Sequence, residues 1–186
     1  MAIFDNYTEF ASSTIEENLA VAKYSIETPK GNNNSCYGMP ALILLASCID
    51  TMGTLYDKKG NFGELTKDVV IDRRGKTREH YENFYHKFID KQQYNKEIFI
   101  KDFYELCRCK ATHNGVLGMD IFITKNGNDN SLFVSEDNIV KIHLPALYDL
   151  VKEAYAQMKK DANLSTNEKE EQEPETGKTT DTKTIR

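Results

Sequence analysis

The sequence predicts a mainly α-helical fold: a bundle of four or five helices with a small β-hairpin or meander inserted before the last helix. Apolar residues recur at helical spacing in five segments, and at about 118–143 the spacing changes to every second residue. Residues 163–186 are almost entirely polar and cannot bury enough apolar surface to offset the entropy lost on ordering. We therefore expect a single helical domain over residues 1–162 and a disordered polar tail over residues 163–186.

The bulk composition favours a cytoplasmic protein of bacterial type. The chain has 186 residues, enough for one domain, and with a net charge of −5 it would need a local basic patch to bind nucleic acid. No secretory signal precedes the four cysteines, so we expect reduced thiols and no disulfides. The longest apolar run, residues 41–49, is far shorter than the roughly 20 residues that cross a bilayer, and no membrane partner is expected.

The first two predicted helices differ in how much of their surface is apolar. The segment Thr8–Glu27 is predicted to end at the Pro29–Gly31 stretch. Its apolar positions, at mixed helical spacing, are Phe10, Ile15, Leu19, Val21 and Ala22. The segment Met39–Tyr56 is apolar nearly all round, and Pro40 suits its first turn. A helix without a polar face is typical of the middle of a bundle, so we expect this one to be central.

The third and fourth predicted helices each follow a capping residue. Thr77 is expected to cap a helix that runs to about Lys91, and Asn95 is expected to cap a helix that runs to about Thr112. Apolar residues at helical spacing line the third helix at Tyr81, Phe84, Tyr85 and Phe88. In the fourth helix they are Phe99, Phe103, Leu106 and Cys107, and the apolar face is widened by Ile100, Tyr104 and Ala111. His113 and the Asn-Gly pair after it are predicted to end this helix.

The β element is predicted from alternation and from turn residues. Gly118–Thr124 alternates in the manner of a strand, and the Asn126–Asn130 stretch is rich in turn-forming residues. Leu132–Val134 is expected to pair with that first strand, and Ile139–His143 is expected to add a third. Pro145 then opens the last helix. Its buried stripe is expected to be Leu147, Leu150, Val151, Ala154, Tyr155 and Met158.

The segment LCRCKATHNG, residues 106–115, is where the sequence points to chemistry. Cys107 and Cys109 form C-x-C rather than the C-x-x-C knuckle of a zinc site, so we expect no metal ion and no cofactor. Cys107 falls on the apolar stripe, where a cysteine is typically a small buried hydrophobe. Cys109 stands between two basic residues, a setting that leaves a redox role open.

Arg108 and His113 in the same segment are candidates for phosphodiester chemistry. On a continuous α-helix, residues five apart point about 140° apart, but a helix that ends at Thr112 lets His113 turn back toward the arginine. A guanidinium binds a phosphate through two hydrogen bonds, and an imidazole moves a proton near neutral pH. The alternative is structural: Arg108 is an exposed helix residue and His113 interacts with the free carbonyls of the last turn.

This segment, at the end of the fourth helix of a small bundle, resembles the HEPN superfamily. Ribonucleases of that superfamily carry an arginine, four to six intervening residues and a histidine, which match Arg108 and His113 here. The resemblance implies metal-independent RNA cleavage, in which the histidine acts as acid and base and the arginine holds the phosphate. It also implies a homodimer whose two motifs share one cleft.

In the HEPN superfamily, the residue after the arginine differs between active ribonucleases and this chain. Active members usually have a polar residue there, often Asn, Asp or His, whereas this chain has Cys109. Catalytically silent members of the superfamily act as scaffolds or bind partners. The alternative function is therefore a non-catalytic helical interaction or scaffold module.

Several polar residues outside the motif are candidate supporting groups. Asp50 lies inside the apolar second helix, so it must reach solvent, face a cleft or pair with a base such as Arg108. His80 and His86 on the aromatic third helix are six residues apart, a poor metal spacing, and are expected to be partly buried or at an interface. The stretch DRRGKTR places four basic side chains close together, either as a solvated loop or as an RNA-binding surface. They are Arg73, Arg74, Lys76 and Arg78.

Overall fold

The protein was analysed as a computed structural model, which describes residues 7–30, 36–63, 75–89, 96–109, 121–125, 132–136 and 139–164. Within these ranges the fold is mainly helical, with a small sheet before the last helix, as predicted. The predicted tail from residue 165 onward and the Asn95 cap lie outside the described residues. None of the helices in the described ranges combines the length and the apolar composition needed to cross a membrane.

Helices α1 (Tyr7–Glu27) and α2 (Gly38–Gly53) form the first antiparallel layer of the bundle. The buried stripe of α1 recurs every three or four residues, which keeps one face against α2: it is Ala11, Ile15, Leu19, Ala22 and Ile26. Of the apolar positions noted in the sequence, Phe10 and Val21 do not belong to this stripe, because both side chains lie more than half exposed on the opposite face.

Helix α2 is the central element, as its apolar composition predicts. It packs against α1 and against every later helix longer than one turn, as well as against the first strand. Its buried side chains include Leu42, Leu45, Ile49 and Met52, all with no exposed surface. Removal of apolar surface from water is the dominant favourable term in folding. The other helices bury one face each, so α2 contributes most to the stability of the fold.

Helix α3 (Thr77–Phe88) is followed by α4 (Lys96–Ile98), which continues directly as a π-helix, Phe99–Cys109. The predicted Thr77 cap is wrong, since Thr77 is the first helical residue and Lys76 precedes it without a side-chain cap bond. The prediction of a continuous α-helix from Lys96 is also corrected by the π winding. This winding brings the rings of Phe99, Phe103 and Tyr104 around one partner, Tyr81, with centroids 6.4, 6.0 and 5.0 Å away.

The sheet has three strands, β1 (Ile121–Thr124), β2 (Phe133–Glu136) and β3 (Ile139–His143), in the order β1-β3-β2. The prediction that the second strand pairs with the first is wrong: β2 pairs antiparallel with β3, and β1 pairs parallel with β3. Glu136 faces Ile139 in the register, so only two residues connect β2 to β3, which is the length of a tight hairpin loop.

Helix α5 (Leu144–Asp161) begins directly after β3, with Pro145 in its first turn as predicted. Its predicted stripe is buried, except that Leu150 is half-buried. Asn163 adopts a left-handed φ of 53°, and the Leu164 amide donates to the Lys159 carbonyl at 2.9 Å. This arrangement is the Schellman cap, which ends α5 with the Leu164 amide bonded back to the helix.

Gly53 is the point of closest approach between α2 and α3. A Cβ at this position would overlap the His80 carbonyl oxygen and lie 2.9 Å from the His80 Cα. A backbone atom cannot move aside as the end of a flexible side chain can. Only glycine therefore allows the two helices to pack at this distance.

Asp161 at the end of α5 ties this helix to α3 and to Tyr56 in the segment that follows α2. Its carboxylate accepts hydrogen bonds from Tyr56 Oη at 2.9 Å and Gln157 Nε2 at 2.7 Å, and it lies 2.9 Å from Lys87 Nζ. Burial alone would raise the pKa of Asp161, but the bonds from Lys87, Gln157 and Tyr56 outweigh it and lower the pKa. Burial and the neighbouring carboxylate raise the pKa of Tyr56, so its hydroxyl remains a donor.

The Gly53→Ala variant should be strongly destabilised, because the added methyl group meets backbone rather than a movable side chain. Overpacking in well-packed interiors typically costs about 1–3 kcal/mol, and this position lies at or above the upper end. Gly63→Ala is the matched control, since the nearest atom to its added Cβ would be the Leu55 carbonyl oxygen at 4.0 Å, an ordinary contact. Urea unfolding measures both. Equal stability of the two variants would contradict the role of Gly53.

The Asp161→Asn variant should change the pH dependence of stability. A lowered pKa in the folded state means that the carboxylate stabilises the fold above the ordinary pKa of about 3.9 and loses this effect as the pH falls below it. The free energy of unfolding of the variant should therefore differ most from the parent at pH 7 and least at pH 3. Asp149→Asn, an exposed position on the same helix, is the control. A difference that is independent of pH would contradict this explanation.

Candidate functional site

Arg108 lies in the last turn of the π-helix, next to its final residue Cys109. Its side chain is not described, and His113 lies outside the described residues, so the predicted pair remains a prediction. A π-helix is closed by hydrogen bonds between residues i and i+5, and such helices occur frequently at functional sites. Arg108 therefore lies on an uncommon backbone. Its hydrogen bonds span five residues, the same number that separates Arg108 from His113 in the sequence.

The π-helix is held against α3 by aromatic packing and by one ion pair. The rings of Phe99 and Phe103 stack with their centroids 5.5 Å apart, and both also contact Tyr81 on α3. Arg78, predicted to bind RNA, contacts Glu105 of the π-helix at 3.0 Å and Glu82 at 3.5 Å. Its guanidinium thus joins the two helices at the surface. Arg73 and Arg74 lie outside the described residues.

Asp50, the predicted supporting carboxylate, pairs with a histidine on α3. His80 Nδ1 and Asp50 Oδ1 are 2.7 Å apart, with the His80 side chain 8% exposed and that of Asp50 24% exposed. A carboxylate accepts only, so His80 Nδ1 must donate to it. This bond determines the imidazole tautomer: His80 Nε2 carries a lone pair when the ring is neutral and a proton when it is charged.

The side-chain amide of Asn83, one turn after His80, is also held in one orientation by its hydrogen bonds. Its Nδ2 donates to the Tyr56 carbonyl at 2.7 Å and approaches the Gly53 carbonyl at 3.3 Å. Because both partners are acceptors, the amide nitrogen must face them, and Oδ1 must point elsewhere. Asn83 Oδ1 and His80 Nε2 are both buried and have no hydrogen-bond partner in the part of the chain that the structure describes.

These two side chains line a pocket of about 330 Å³, which we call the His80 pocket. Its other lining residues include Lys58, Lys59, Lys76 and Glu79. His80 and Asn83 are only 6% and 4% exposed, whereas the lysines are exposed. The pocket is therefore lined by two buried polar residues and, near solvent, by charged side chains of both signs, since Asp57 and Glu79 accompany the lysines. Lys76, predicted to bind RNA, is brought to this pocket.

The described cysteines are free thiols without a metal site. Cys36, Cys48 and Cys109 are unbridged, and no cluster of metal-binding side chains occurs in the described ranges. Burial raises the pKa of Cys48 to about 12, which keeps this thiol protonated. Cys109 is half-buried beside Arg108, and the side chain of Cys107 is not described.

Sequence reasoning singled out Asp50 and Lys76 as candidates, but it did not predict the pairing of Asp50 with His80 or the hydrogen bonds of Asn83. The prediction that His80 and His86 are partly buried is confirmed, since His80 is buried and His86 half-buried. One signal was available: His80 lies one helical turn before Phe84, on the apolar face, so its imidazole had to find a polar partner in the interior. Asp50 on the apolar second helix had the same need.

Comparison of the chain with protein-family models, curated proteins and solved structures finds no match. The resemblance to the HEPN superfamily therefore depends on the helical architecture and the Arg108/His113 spacing.

The Asp50–His80 hydrogen bond should show strong energetic coupling in a double-mutant cycle. Asp50→Ala leaves buried His80 Nδ1 without its acceptor, which costs about 1–3 kcal/mol. Once His80→Ala is present, the same change should cost less, giving a coupling of roughly 0.5–3 kcal/mol by urea unfolding. The control is Asp50→Ala combined with Lys23→Ala on the exposed face of α1, which should be additive. Additive effects in both pairs would show that the bond does not stabilise the fold.

Proposed function

We propose that this chain is a HEPN-like protein that acts on RNA as a metal-independent endoribonuclease, with Arg108 and His113 as its catalytic residues. His113 removes the proton from a ribose 2′-hydroxyl, whose oxygen attacks the adjacent phosphorus. The P–O bond to the 5′-oxygen breaks, and that oxygen receives a proton from imidazolium. The products are a 2′,3′-cyclic phosphate and a free 5′-hydroxyl, while Arg108 binds the phosphate oxygens.

The observation that carries this proposal is the π winding around Arg108. An α-helix separates residues five apart by about 140° around its axis, which keeps an Arg and a His at this spacing apart. A π-helix instead hydrogen-bonds residue i to residue i+5. The π-helix Phe99–Cys109 contains Arg108 in its last turn. The same winding over five further residues would bring an arginine and a histidine at this spacing to one side of a helix.

Positive charge near the same helix supports an RNA substrate. Lys76 lines the His80 pocket, and Arg78 links α3 to the π-helix through Glu105. Phosphate contacts from basic side chains supply most of the sequence-independent affinity for nucleic acid. The overall negative charge does not oppose this, because such contacts need only a local surface.

A second candidate is the non-catalytic interaction module, which Cys109 and one surface of α1 favour. Four large apolar side chains of α1 are exposed at spacings of three, eleven and three residues, which places them on one stripe. They are Tyr7, Phe10, Val21 and Tyr24, of which Tyr24 is 68% exposed. A helix stripe of this kind suits a second copy of the chain, and a homodimer would form through it with or without catalysis.

Cleavage of a pool of structured and unstructured RNAs in EDTA tests the lead proposal. His113→Ala should lower the rate by roughly 10²–10⁴-fold, the usual effect of losing a general acid and base. Arg108→Ala should be similarly severe. The double variant should be little worse than either single one, because residues that act as a unit are not additive.

Control variants and the oligomeric state distinguish the two functions. His86→Ala removes a half-buried imidazole on α3 and should leave cleavage unchanged. Cleavage that survives His113→Ala, or that stops on chelation of metal ions, contradicts the Arg108/His113 assignment. No cleavage by a folded protein that sediments as a dimer supports the interaction module instead. Phe10→Ser should then dissociate the dimer.

A further inference from the structure

A groove of about 840 Å³ runs between α1 and α5, and we call it the α1/α5 groove. Helix α1 lines it with Leu19 and Ala20, and α5 lines it with Ala156. The two alanines leave space that longer side chains would fill. Tyr155 also lines the groove, and its hydroxyl lies 2.8 Å from Ser12 Oγ, which joins the two helices. The groove is therefore part of the way in which α1 and α5 pack together.

The α1/α5 groove is basic at the end where α5 terminates. Three lysines line it, Lys152, Lys159 and Lys160, against one carboxylate, Glu16. Lys159 Nζ lies 4.9 Å from the centroid of the Tyr155 ring, so its charge stands over the groove. Within the described residues, Lys152 and Lys160 form no ion pair. The C-terminus of α5 adds about half a negative charge, which together with Glu16 neutralises only about half of the lysine charge.

The other end of the groove, at Tyr148, is not basic. Burial raises the pKa of Tyr148, and the nearby carboxylates of Asp149 and Glu27 raise it further. An anionic occupant is therefore attracted to the lysine end of the groove and not to the Tyr148 end.

The chain carries an acidic segment directly beside the lysine end. Leu164 lines the groove, and its amide donates to the Lys159 carbonyl, so the chain leaves α5 next to the lysines. Three residues later comes the sequence EKEEQEPE, residues 168–175, which we call the acidic segment. It contains five glutamates and one lysine, so its charge is opposite to that of the groove.

The length of chain after Leu164 is sufficient for the acidic segment to reach all three lysines. Lys152 lies 12 residues before Leu164, which corresponds to about 18 Å along a helix. An extended chain spans about 3.3–3.6 Å per residue, so Glu170, six residues after Leu164, reaches about 20 Å. Glu168 reaches about 13 Å, which is enough for Lys159 and Lys160.

We propose that the acidic segment docks on the lysine end of the α1/α5 groove of its own chain and shields this surface from other anionic partners. Its carboxylates contact the ammonium groups of Lys152, Lys159 and Lys160. Fixing the backbone of a residue costs more free energy than one exposed ion pair returns, so the contact is electrostatic and needs no single backbone conformation.

The tether to α5 favours this occupant over others of the same charge. A second copy of the chain or a separate acidic peptide has the same chemistry, but a tethered segment has an effective concentration in the millimolar range. The docking does not depend on RNA cleavage by Arg108 and His113, and its test does not measure cleavage.

Neutralising the acidic segment in the full chain tests the contact. The variant replaces the five glutamates with glutamine at Glu168, Glu170, Glu171, Glu173 and Glu175. Relative to the parent, NMR signals of Ala20, Ala156 and the three groove lysines should shift. The difference should disappear in 1 M salt, where the Debye length falls to about 3 Å. Lys169→Gln makes the segment more acidic and should shift the same signals in the opposite direction.

Neutralising the groove should remove the response to the acidic segment. With Lys152→Gln, Lys159→Gln and Lys160→Gln combined, the glutamine changes in the segment should no longer shift Ala20 and Ala156. The matched control replaces three exposed lysines outside the groove with glutamine, at Lys23, Lys58 and Lys101, and should leave the response intact. If the groove variant fails to fold, the segment variant still decides the question, because its changes lie outside the helices.

A free acidic peptide measures how much of the groove its own chain covers. The probe is a peptide of eight glutamates, titrated by calorimetry. It should bind the variant with the neutral segment roughly three- to tenfold more tightly than the parent, as expected for a groove occupied about 70–90% of the time. Binding should be lost in the variant that lacks the three groove lysines.

The results distinguish the possible occupants of the groove. Shifts that are independent of protein concentration, together with tighter binding of the probe, support docking within one chain. Shifts that grow with protein concentration indicate the segment of a second copy and overturn this proposal. Equal binding of the probe by parent and variant, without shifts, indicates a groove open to the acidic peptide of a partner and also overturns it. The absence of both shifts and probe binding does so as well.

Discussion

The packing of the bundle depends on the contact between Gly53 on α2 and the backbone of His80 on α3. No Cβ separates the two helices there, and an added one would overlap the His80 carbonyl oxygen. Polar groups about one helical turn from this contact then come within hydrogen-bond range of groups on the other helix. Asp50 reaches the His80 ring at 2.7 Å, and Asn83 reaches the Tyr56 carbonyl at 2.7 Å. One backbone contact therefore sets both the helix packing and the polar groups that meet between the helices.

Asp50, His80 and Asn83 form a polar cluster at this contact, and apolar side chains surround it. Helix α2 has seven apolar side chains buried, so a carboxylate on it is costly unless a donor meets it. His80 supplies that donor but leaves its own Nε2 unsatisfied, as Asn83 leaves Oδ1. Natural proteins satisfy most buried polar atoms and tend to break the rule where function requires it.

The His80 pocket and the π-helix that contains Arg108 both pack on α3. Helix α3 provides His80 and Asn83 on one part of its surface and Tyr81 on another, and Tyr81 packs against the π-helix that contains Arg108. The stacked rings of Phe99 and Phe103 pack this π-helix against α3. On our proposal that Arg108 and His113 cleave RNA, this packing would give Arg108 a rigid support.

The sequence by itself determined the helical class, the central position of α2, the strands before the last helix and the Pro145 helix start. These follow from local periodicity and local backbone chemistry, which a sequence displays directly. Tertiary structure decided the π winding after Ile98 and the parallel pairing of β1 with β3. It also decided that Asp50 pairs with a histidine 30 positions away. Periodicity predicts which face of a helix is buried, but the partner of a buried polar group depends on how closely two helices approach, and here that distance depends on the missing side chain of Gly53.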